Sequence, residues 1–263
     1  MVRYIKLYFM RWAQGVQAQM EYKVDFILGN ITTILGQIVG IAFVWVIFQS
    51  IGDLNGWSLP QIMLIYGLAA LPYGLVELFF DGLWGLNYSV RLGEFDRLMI
   101  RPIGPLFFVL SSRVALHGLG NFFTGVVIII MASNDLGLSW NAVNIGFLFL
   151  GVVCGTIIYL SINLITATTS FWFIGSSVSI MYLVHKLRDF SAYPLTIYAR
   201  PIQILLTWIV PFAFTSFFPA TFLLGQEAYR RFVFLIPVMS VAFFGLAYGF
   251  WRIGLNQYQS TGS

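Results

Sequence analysis

The sequence predicts an all-α polytopic membrane protein with six spanning helices, and three observations support this fold class. Of the 263 residues, 59% are hydrophobic and only 9% are charged, whereas soluble domains carry roughly 25% charged residues. Apolar runs of about 20 residues, the length that crosses a bilayer as a helix, recur along the chain. Short polar connections separate these runs, and the basic residues concentrate on one predicted side. Charge is therefore too sparse to cover a water-facing globule.

Residues 1–23 predict an amphipathic helix that lies in the membrane interface. Arg11 and Gln19 interrupt its pattern, so an ordinary polar tail that leads into the first span is the alternative. Apolar side chains otherwise share one helical face and polar side chains the opposite one: Ile5, Phe9, Trp12, Val16 and Met20 against Arg3, Gln14, Gln17 and Glu21.

The whole chain, 1–263, is predicted to form a single transmembrane domain. The predicted spans are 25–50, 58–80, 106–132, 142–165, 171–184 and 232–251. Residues 193–225 are also apolar, but four prolines interrupt them, and prolines break lipid-facing helices. We therefore expect a re-entrant or interfacial helical hairpin there. If 202–224 crosses the membrane instead, the chain has seven spans and its C-terminus lies outside.

The basic residues predict that both termini are cytoplasmic, because cytoplasmic loops carry an excess of lysine and arginine. The loops 51–57 and 133–140, on the opposite side, contain none. The pattern weakens after the fifth predicted span, where His185, Lys186 and Arg188 fall on the outer side. The basic residues of the predicted cytoplasmic side are Arg3, Lys6, Arg11, Lys23, Arg91, Arg97 and Arg101.

The sequence does not predict an enzyme. None of the three lysines closes a G-x-x-x-x-G-K-[ST] phosphate loop, since Ile5, Tyr22 and His185 precede them. Two histidines and one cysteine form no metal-ligand spacing and no catalytic motif. We therefore expect no catalytic residue, metal or cofactor on this chain, and the absence of a basic cluster argues against nucleic acid as a partner.

Four ionisable residues near the ends of spans two and three are candidate functional groups, because charges at membrane depth are costly. Glu77 and Asp81 share a helical face at i, i+4, as do Arg113 and His117. The spacing predicts an interhelical pair between Glu77 and Arg113. Such a pair either orients two helices or contacts a substrate.

Small residues predict close helix packing on two spans. Gly29, Gly36 and Gly40 recur along the first span, and Gly151 and Gly155 lie four residues apart on the fourth. Small residues at this spacing let helix backbones approach closely. Both packing within the chain and a subunit interface fit this pattern.

The connection 81–105 carries the strongest local signal. Glu94 and Arg97 are spaced to stabilise a short surface helix, which Pro102 ends. A helix of this kind can be grasped by a cytoplasmic partner, and an ordinary solvated loop is the alternative.

Two segments carry a resemblance to a known family. The run GEFDRLMIRPIGPL (93–106) and the proline-rich segment YPLTIYARPIQILLTWIVPFAFTSFFPATFLLG (193–225) resemble the ABC-2 family of ABC-transporter permeases. The resemblance implies six spans, an N-terminal interfacial elbow helix, a cytoplasmic coupling helix between spans two and three, and an outer re-entrant helical pair. The residues it assigns to docking of an ATPase are Arg91, Glu94, Phe95, Asp96, Arg97 and Arg101.

The resemblance also implies the partners and the location. These are a dimer of ATPase subunits that binds ATP and magnesium, a second permease subunit, with a heterodimer favoured over a homodimer, and the lipid of the bacterial inner membrane. The predicted function is thus the permease subunit of an ATP-driven exporter. An ion-coupled secondary transporter is an alternative, although no charged residue lies near the centre of a predicted span. A non-transporting membrane scaffold or enzyme is the other.

Overall fold

The computed structural model describes residues 2–173 and 175–260, and this part of the chain is helical with no β-strand. Short 3-10 turns connect or extend several helices. The helices are α1 (Val2–Glu21), α2 (Lys23–Ser50), α3 (Leu59–Phe80), α4 (Leu86–Arg91), α5 (Asp96–Met99), α6 (Pro105–Leu110), α7 (Gly118–Leu136), α8 (Ala142–Thr168), α9 (Ser177–Leu187), α10 (Arg200–Ile204), α11 (Phe217–Leu223) and α12 (Arg230–Gln257).

Five helical segments are long and apolar enough to cross a membrane. A sixth is present if residues 200–209 and 212–223, which are bent by 74° at the break between them, form one span. The all-α polytopic prediction is therefore confirmed for the described residues. The five segments are Lys23–Ser50, Leu59–Arg91, Gly118–Leu136, Ala142–Phe171 and Glu227–Gln257.

Successive spans run antiparallel and define two ends of the bundle. We call the end that holds residues 81–117 the connection end. The opposite end, the turn end, holds the α2–α3 turn (51–58) and the α7–α8 turn (137–141). Helix α1 lies at the connection end, where several of its side chains meet the end of α3.

Four glycines bring α3 and α7 into the closest packing of the bundle. A Cβ atom added to Gly67 would lie 3.0 Å from the Gly125 carbonyl oxygen, and one added to Gly74 would lie 2.7 Å from that of Gly118. Both pairs are spaced by seven residues on antiparallel helices, so the two contacts are in register. Only residues without a side chain allow backbones to approach this closely.

The glycines predicted on α8 also pack within the chain. A Cβ on Gly155 would lie 3.1 Å from Pro72 of α3, and one on Gly151 would lie 3.5 Å from Pro219 of α11. In this chain the Gly151 and Gly155 face is therefore covered by its own helices.

The third predicted span, 106–132, is interrupted in the structure. Helix α6 ends at Leu110 and α7 begins at Gly118. Ser111 and Ser112 donate side-chain hydrogen bonds to the carbonyls of Phe107 and Val109, each at 2.8 Å. Such local bonds compete with the backbone ladder of a continuing helix, so residues 111–117 form a loop that packs on α3.

The fifth predicted span, 171–184, also differs. Helix α9 has eleven residues, about 16 Å at 1.5 Å per residue, which is short of a ~30 Å hydrocarbon core. The chain continues through 3-10 turns at Arg188–Ala192 and Leu195–Ile197. Trp57 at the turn end donates to the Thr196 hydroxyl at 2.8 Å, so residues 177–197 traverse the bundle as a broken helix. Pro194 lacks a backbone N–H, so helical hydrogen bonding does not continue from the Arg188–Ala192 turn into the Leu195–Ile197 turn.

Residues 193–225 leave the turn end and return to it. Thr196, near the start of the segment, bonds Trp57, and Phe217, near its end, packs against the same indole with ring centroids 5.7 Å apart. Between them, the Phe212 ring packs against the Tyr159 ring with centroids 5.1 Å apart. Tyr159 lies in the half of α8 nearer the connection end. These contacts favour the re-entrant hairpin over a single bent span.

Candidate functional site

A polar cavity of about 480 Å³ lies among α2, α3, α7 and residues 186–193. In a bundle with this little charge, a concentration of polar side chains around one space makes the cavity the first candidate site. The polar side chains that dominate its wall are Gln37, Tyr66, Tyr73, Glu77, Asn121 and Arg188.

A chain of hydrogen bonds crosses one wall and joins three helices. Gln37 of α2 donates to the Asn121 side-chain oxygen at 2.5 Å, and Asn121 of α7 donates to Glu77 Oε2 at 2.6 Å. The other carboxylate oxygen, Oε1, lies 3.4 Å from His117 Nε2. Both oxygens of this buried carboxylate are therefore satisfied, as a group withdrawn from water requires.

The predicted pair between Glu77 and Arg113 is not the pair that forms. Arg113 Nε contacts Asp81 Oδ2 at 2.9 Å, and His117 takes the place beside Glu77. The reason is the loop at 111–117. Because this segment is not helical, Arg113 and His117 do not lie one helical turn apart. Arg113 therefore contacts Asp81, near the end of α3, and His117 contacts Glu77, one turn earlier. All four residues singled out in the sequence nevertheless come together at the connection end.

The opposite wall is formed by the turn after α9. The Arg188 guanidinium lies over the Tyr73 ring, 3.7 Å from its centroid, and bonds Asp189 Oδ1 at 3.1 Å. Lys186 Nζ lies 3.6 Å from Asp189 Oδ2. Tyr73 is seven residues before the end of α3, which is about 10 Å along the helix axis.

Arg188 was predicted to lie beyond the fifth span on the outer side. In the structure it lies inside the bundle, against Tyr73. Arg188 follows the predicted span 171–184 in the sequence, but its side chain lies beside α3. This position is hard to predict from the sequence, because the helix break that turns Arg188 toward α3 depends on the packing of the following segment.

Two of the glycines predicted on α2 also border the cavity. A Cβ on Gly40 would meet the Tyr66 hydroxyl at 2.5 Å, whereas one on Gly36 would meet nothing within 4 Å. Gly29 lies farther along, with its nearest neighbour, the His117 Cβ, at 3.7 Å. Gly36 and Gly40 thus keep this side of α2 free of bulk beside the cavity.

The connection between α3 and α7 is anchored by one aromatic side chain. Phe95 is fully buried, and its ring packs against Phe171, Trp251 and Tyr258 with centroids 5.2, 6.3 and 5.0 Å apart. The Tyr258 hydroxyl donates to Asp96 Oδ1 at 2.9 Å. Burial and this carboxylate raise the pKa of Tyr258 to about 12, so the hydroxyl keeps its proton. The connection is fixed to the ends of α8 and α12.

The remaining predicted docking residues face outward. Arg91, Glu94, Arg97 and Arg101 are exposed, and beside them Ile100 has 86% of its surface accessible. Phe95 was predicted to belong to this surface, but it lies inside and positions the surface. Ile100 was not predicted, although an exposed isoleucine between charged residues of a loop was the available signal.

Among the described residues, no three histidine, cysteine, aspartate or glutamate side chains group together in a way that could hold a metal ion. The chemistry of the cavity is that of charge, hydrogen bonds and aromatic faces.

Comparison with known proteins gives one match. The model of a family described as "ABC-2 family transporter protein" matches residues 34–262. No curated protein and no solved structure matches the chain. The matched range includes the anchored connection, the re-entrant segment and the residues that line the cavity other than Thr32 and Thr33.

Proposed function

The chain belongs to the ABC-2 family of transporter proteins, and we propose that it is the permease subunit of an ATP-driven exporter whose ATPase is a separate chain. As a multi-pass member of that family it is a transport component of a membrane. The finer proposal adds a cytoplasmic ATPase dimer that binds ATP and magnesium, a second permease subunit, and the bacterial inner membrane with both termini in the cytoplasm.

The observation that carries the proposal is the surface around Ile100. An isoleucine exposed to 86% of its area and flanked by Arg97 and Arg101 has the composition of a contact centre with a charged rim. Helix α5 presents it at the connection end, and the excess of basic residues there supports a cytoplasmic location. We call Arg91, Glu94, Arg97, Ile100 and Arg101 the docking surface.

The anchor behind the docking surface supports a route for force. Phe95 and Tyr258 join α5 to the end of α12, and Phe171 joins it to the end of α8. A push on Ile100 therefore moves the ends of two spans with it, because well-packed aromatic contacts transmit displacement instead of absorbing it. In this mechanism, closure of the ATPase dimer tilts α8 and α12 and alters the cavity on the far side of α3.

Reconstitution of the chain with a candidate ABC-type ATPase tests the proposal. We expect Ile100→Asp and Arg97→Glu to weaken association at least about tenfold, the effect of losing ~1.4 kcal/mol at one central contact, and to abolish permease-stimulated ATP hydrolysis. Arg230→Gln, an exposed arginine at the turn end, is the matched control and should change neither. Unchanged association and hydrolysis in both docking variants would refute the proposed docking surface.

Ion-coupled secondary transport is the second candidate, and one observation favours keeping it. Glu77 and Arg188 are ionisable groups inside the bundle beside a cavity, a setting typical of coupling sites. Uptake or efflux that follows an imposed ion gradient without ATP, and that Glu77→Gln abolishes, would select this function. Transport that requires the ATPase would reject it.

A further inference from the structure

The wall of the cavity formed after α9 carries a positive charge in excess. Lys186 and Arg188 both pair with one carboxylate, Asp189, at 3.6 and 3.1 Å. Two cations thus share one anion. The ring of Tyr73 under the guanidinium contributes a favourable cation–π contact but no negative charge.

The opposite wall does not supply the missing charge. Glu77 is the carboxylate of that wall, and its two oxygens are occupied by His117 and Asn121 at 3.4 and 2.6 Å. The negative charge of Glu77 is balanced within its own wall by His117 when that imidazole is protonated, and Gln37 and Asn121 add only neutral amides. The excess positive charge of the first wall faces the cavity.

A charge in excess among membrane-spanning segments is costly unless water or a counter-ion compensates for it. The Arg188 side chain is 23% exposed, so part of the guanidinium is accessible from the cavity. Its planar N–H groups can form paired hydrogen bonds with a carboxylate or phosphate, which an ammonium group cannot. Tyr66 brings a phenol hydroxyl to the same space.

We propose that this cavity binds an anionic amphipathic molecule, whose acidic group lies beside Lys186 and Arg188. The proposal rests on the permease function, since the bound molecule would be the cargo of the transporter. It specifies the class of cargo: a phosphate- or carboxylate-bearing molecule with an apolar part.

The apolar part follows from the helices that border the cavity. Leu35 and Val39 flank Gly36 and Gly40 on α2, and Tyr182 and Leu183 precede Lys186 on α9; all four carry exposed side chains. A molecule with its acid group in the cavity can therefore keep a hydrocarbon part along these surfaces and in the lipid.

The electrostatic part is tested by the rates at which oppositely charged thiol reagents modify a cysteine in the cavity. Thr33 lines the cavity and is half-buried, so Thr33→Cys in a Cys154→Ala background places one thiol there with little change in volume. The reagents are a negatively charged methanethiosulfonate ethylsulfonate and a positively charged methanethiosulfonate trimethylammonium. Both reagents react with the same thiolate, so a change in the pKa of the cysteine alters both rates by the same factor. The ratio of the two rates therefore reports only the charge of the surroundings.

We expect the anionic reagent to react faster, and Arg188→Gln to lower the anionic-to-cationic rate ratio by about tenfold, the size of a Coulomb effect across several ångströms of partly wet cavity. Lys186→Gln should lower the ratio as well, and Arg188→Lys should retain it. Ser139→Cys, exposed in the α7–α8 turn, is the control whose ratio Arg188→Gln leaves unchanged. A ratio at Thr33→Cys that responds to neither charge removal overturns the proposal, and so does a thiol that neither reagent reaches.

The ligand class is tested by protection of the same thiol in the chain reconstituted in nanodiscs. Phosphatidylglycerol should slow modification at least severalfold, whereas phosphatidylcholine and inorganic phosphate should not. Equal protection by phosphatidylcholine would reject an acidic ligand, and equal protection by inorganic phosphate would reject the need for an apolar part. These measurements use the permease without its ATPase, so a failure of the docking experiment leaves them interpretable.

Discussion

Glu77 shows how the bundle accommodates a carboxylate among apolar helices. Asn121 donates to one oxygen at 2.6 Å, and His117 lies 3.4 Å from the other. The next carboxylate, Asp81, meets Arg113 instead. Removing one partner of such a pair leaves a buried charge without compensation, which costs more than the pair itself contributes.

The pair of His117 with Glu77 predicts that stability depends on pH. The hydrogen bond to Glu77 raises the pKa of His117 above its ordinary value, helped by Asp81 and opposed by burial and by Arg113. A raised histidine pKa stabilises the fold fully below the unfolded value of about 6.5, and that stabilisation is lost as pH rises through the folded value.

The thermal midpoint of the detergent-solubilised chain should therefore fall between pH 6 and pH 9, more in the wild type than in His117→Gln. The His117 side chain is 42% exposed, so solvent screening limits the difference to less than about 1 kcal/mol. Equal pH dependence of the thermal midpoint in the two proteins would mean that the pKa of His117 does not change on folding, which would contradict the prediction.

Truncation of Phe95 should lower the stability of the chain, whereas truncation of Ile100, five residues later, should weaken only its association with the ATPase. Phe95→Ala removes a fully buried ring and should lower the free energy of unfolding by about 3–5 kcal/mol. Ile100→Ala removes an exposed side chain and should leave stability unchanged while it weakens ATPase association. Thermal unfolding and co-purification measured on both variants separate the anchor from the docking surface, and a stable Phe95→Ala protein would contradict the anchor.

At the scale of elements, the contact of α3 with α7 organises the bundle, and α1 closes its connection end. Trp12 donates to the Leu78 carbonyl at 3.0 Å, and Gln19 accepts from the Leu116 N–H at 3.0 Å. Arg11 donates to Ser111 at 2.9 Å. The last carbonyls of a helix lack partners within it, and α1 satisfies two of those of α3, because the Tyr8 hydroxyl also donates to the Phe79 carbonyl. Arg11 and Gln19, which interrupt the amphipathic pattern, are among the residues that dock this helix.

The glycine contact predicts a sharp difference between two substitutions by alanine. In Gly74→Ala the new Cβ would lie 2.7 Å from the Gly118 oxygen and from the Phe122 nitrogen, both backbone atoms that cannot rotate away. Separation of α3 from α7 should cost about 1–3 kcal/mol. In Gly36→Ala the Cβ meets nothing within 4 Å, so we expect unchanged or slightly raised stability. Equal thermal midpoints for the two variants would contradict the close α3–α7 packing.

At the scale of the whole molecule, the two ends of the bundle should face opposite compartments. The positive-inside rule predicts that the connection end is cytoplasmic. In a Cys154→Ala background, a membrane-impermeant thiol reagent should label Ser139→Cys in intact cells and Ile100→Cys only after permeabilisation. The reverse pattern would invert the orientation and remove the docking surface from the ATPase.

Most of the fold class was predictable from the sequence. Apolar runs of spanning length gave α2, α3, α8 and α12 to within a few residues, because hydrophobic length is a local property. Span three was less accurate because the serines at 111–112 interrupt a helix whose apolar composition predicted continuity. Span five was less accurate because the chain continues beyond α9 in short 3-10 turns.

The candidate site was predictable in its members and not in its contacts. Glu77, Asp81, Arg113 and His117 were recognised because charge in an apolar span is conspicuous in a single sequence. Arg188 was misplaced, and Phe95 was assigned to the surface, because both positions depend on segments distant in the chain.

By itself, the sequence determined that the chain is helical, crosses a membrane and belongs beside the ABC-2 permeases, since composition, hydrophobic length and two local motifs suffice for each. Only the tertiary structure decided that Asp81 and not Glu77 holds Arg113, that Phe95 faces inward, and that Arg188 lies against Tyr73 in a cavity. The physical reason is that pairing and burial depend on where helices end and cross. Those breaks are set by the packing of the whole chain.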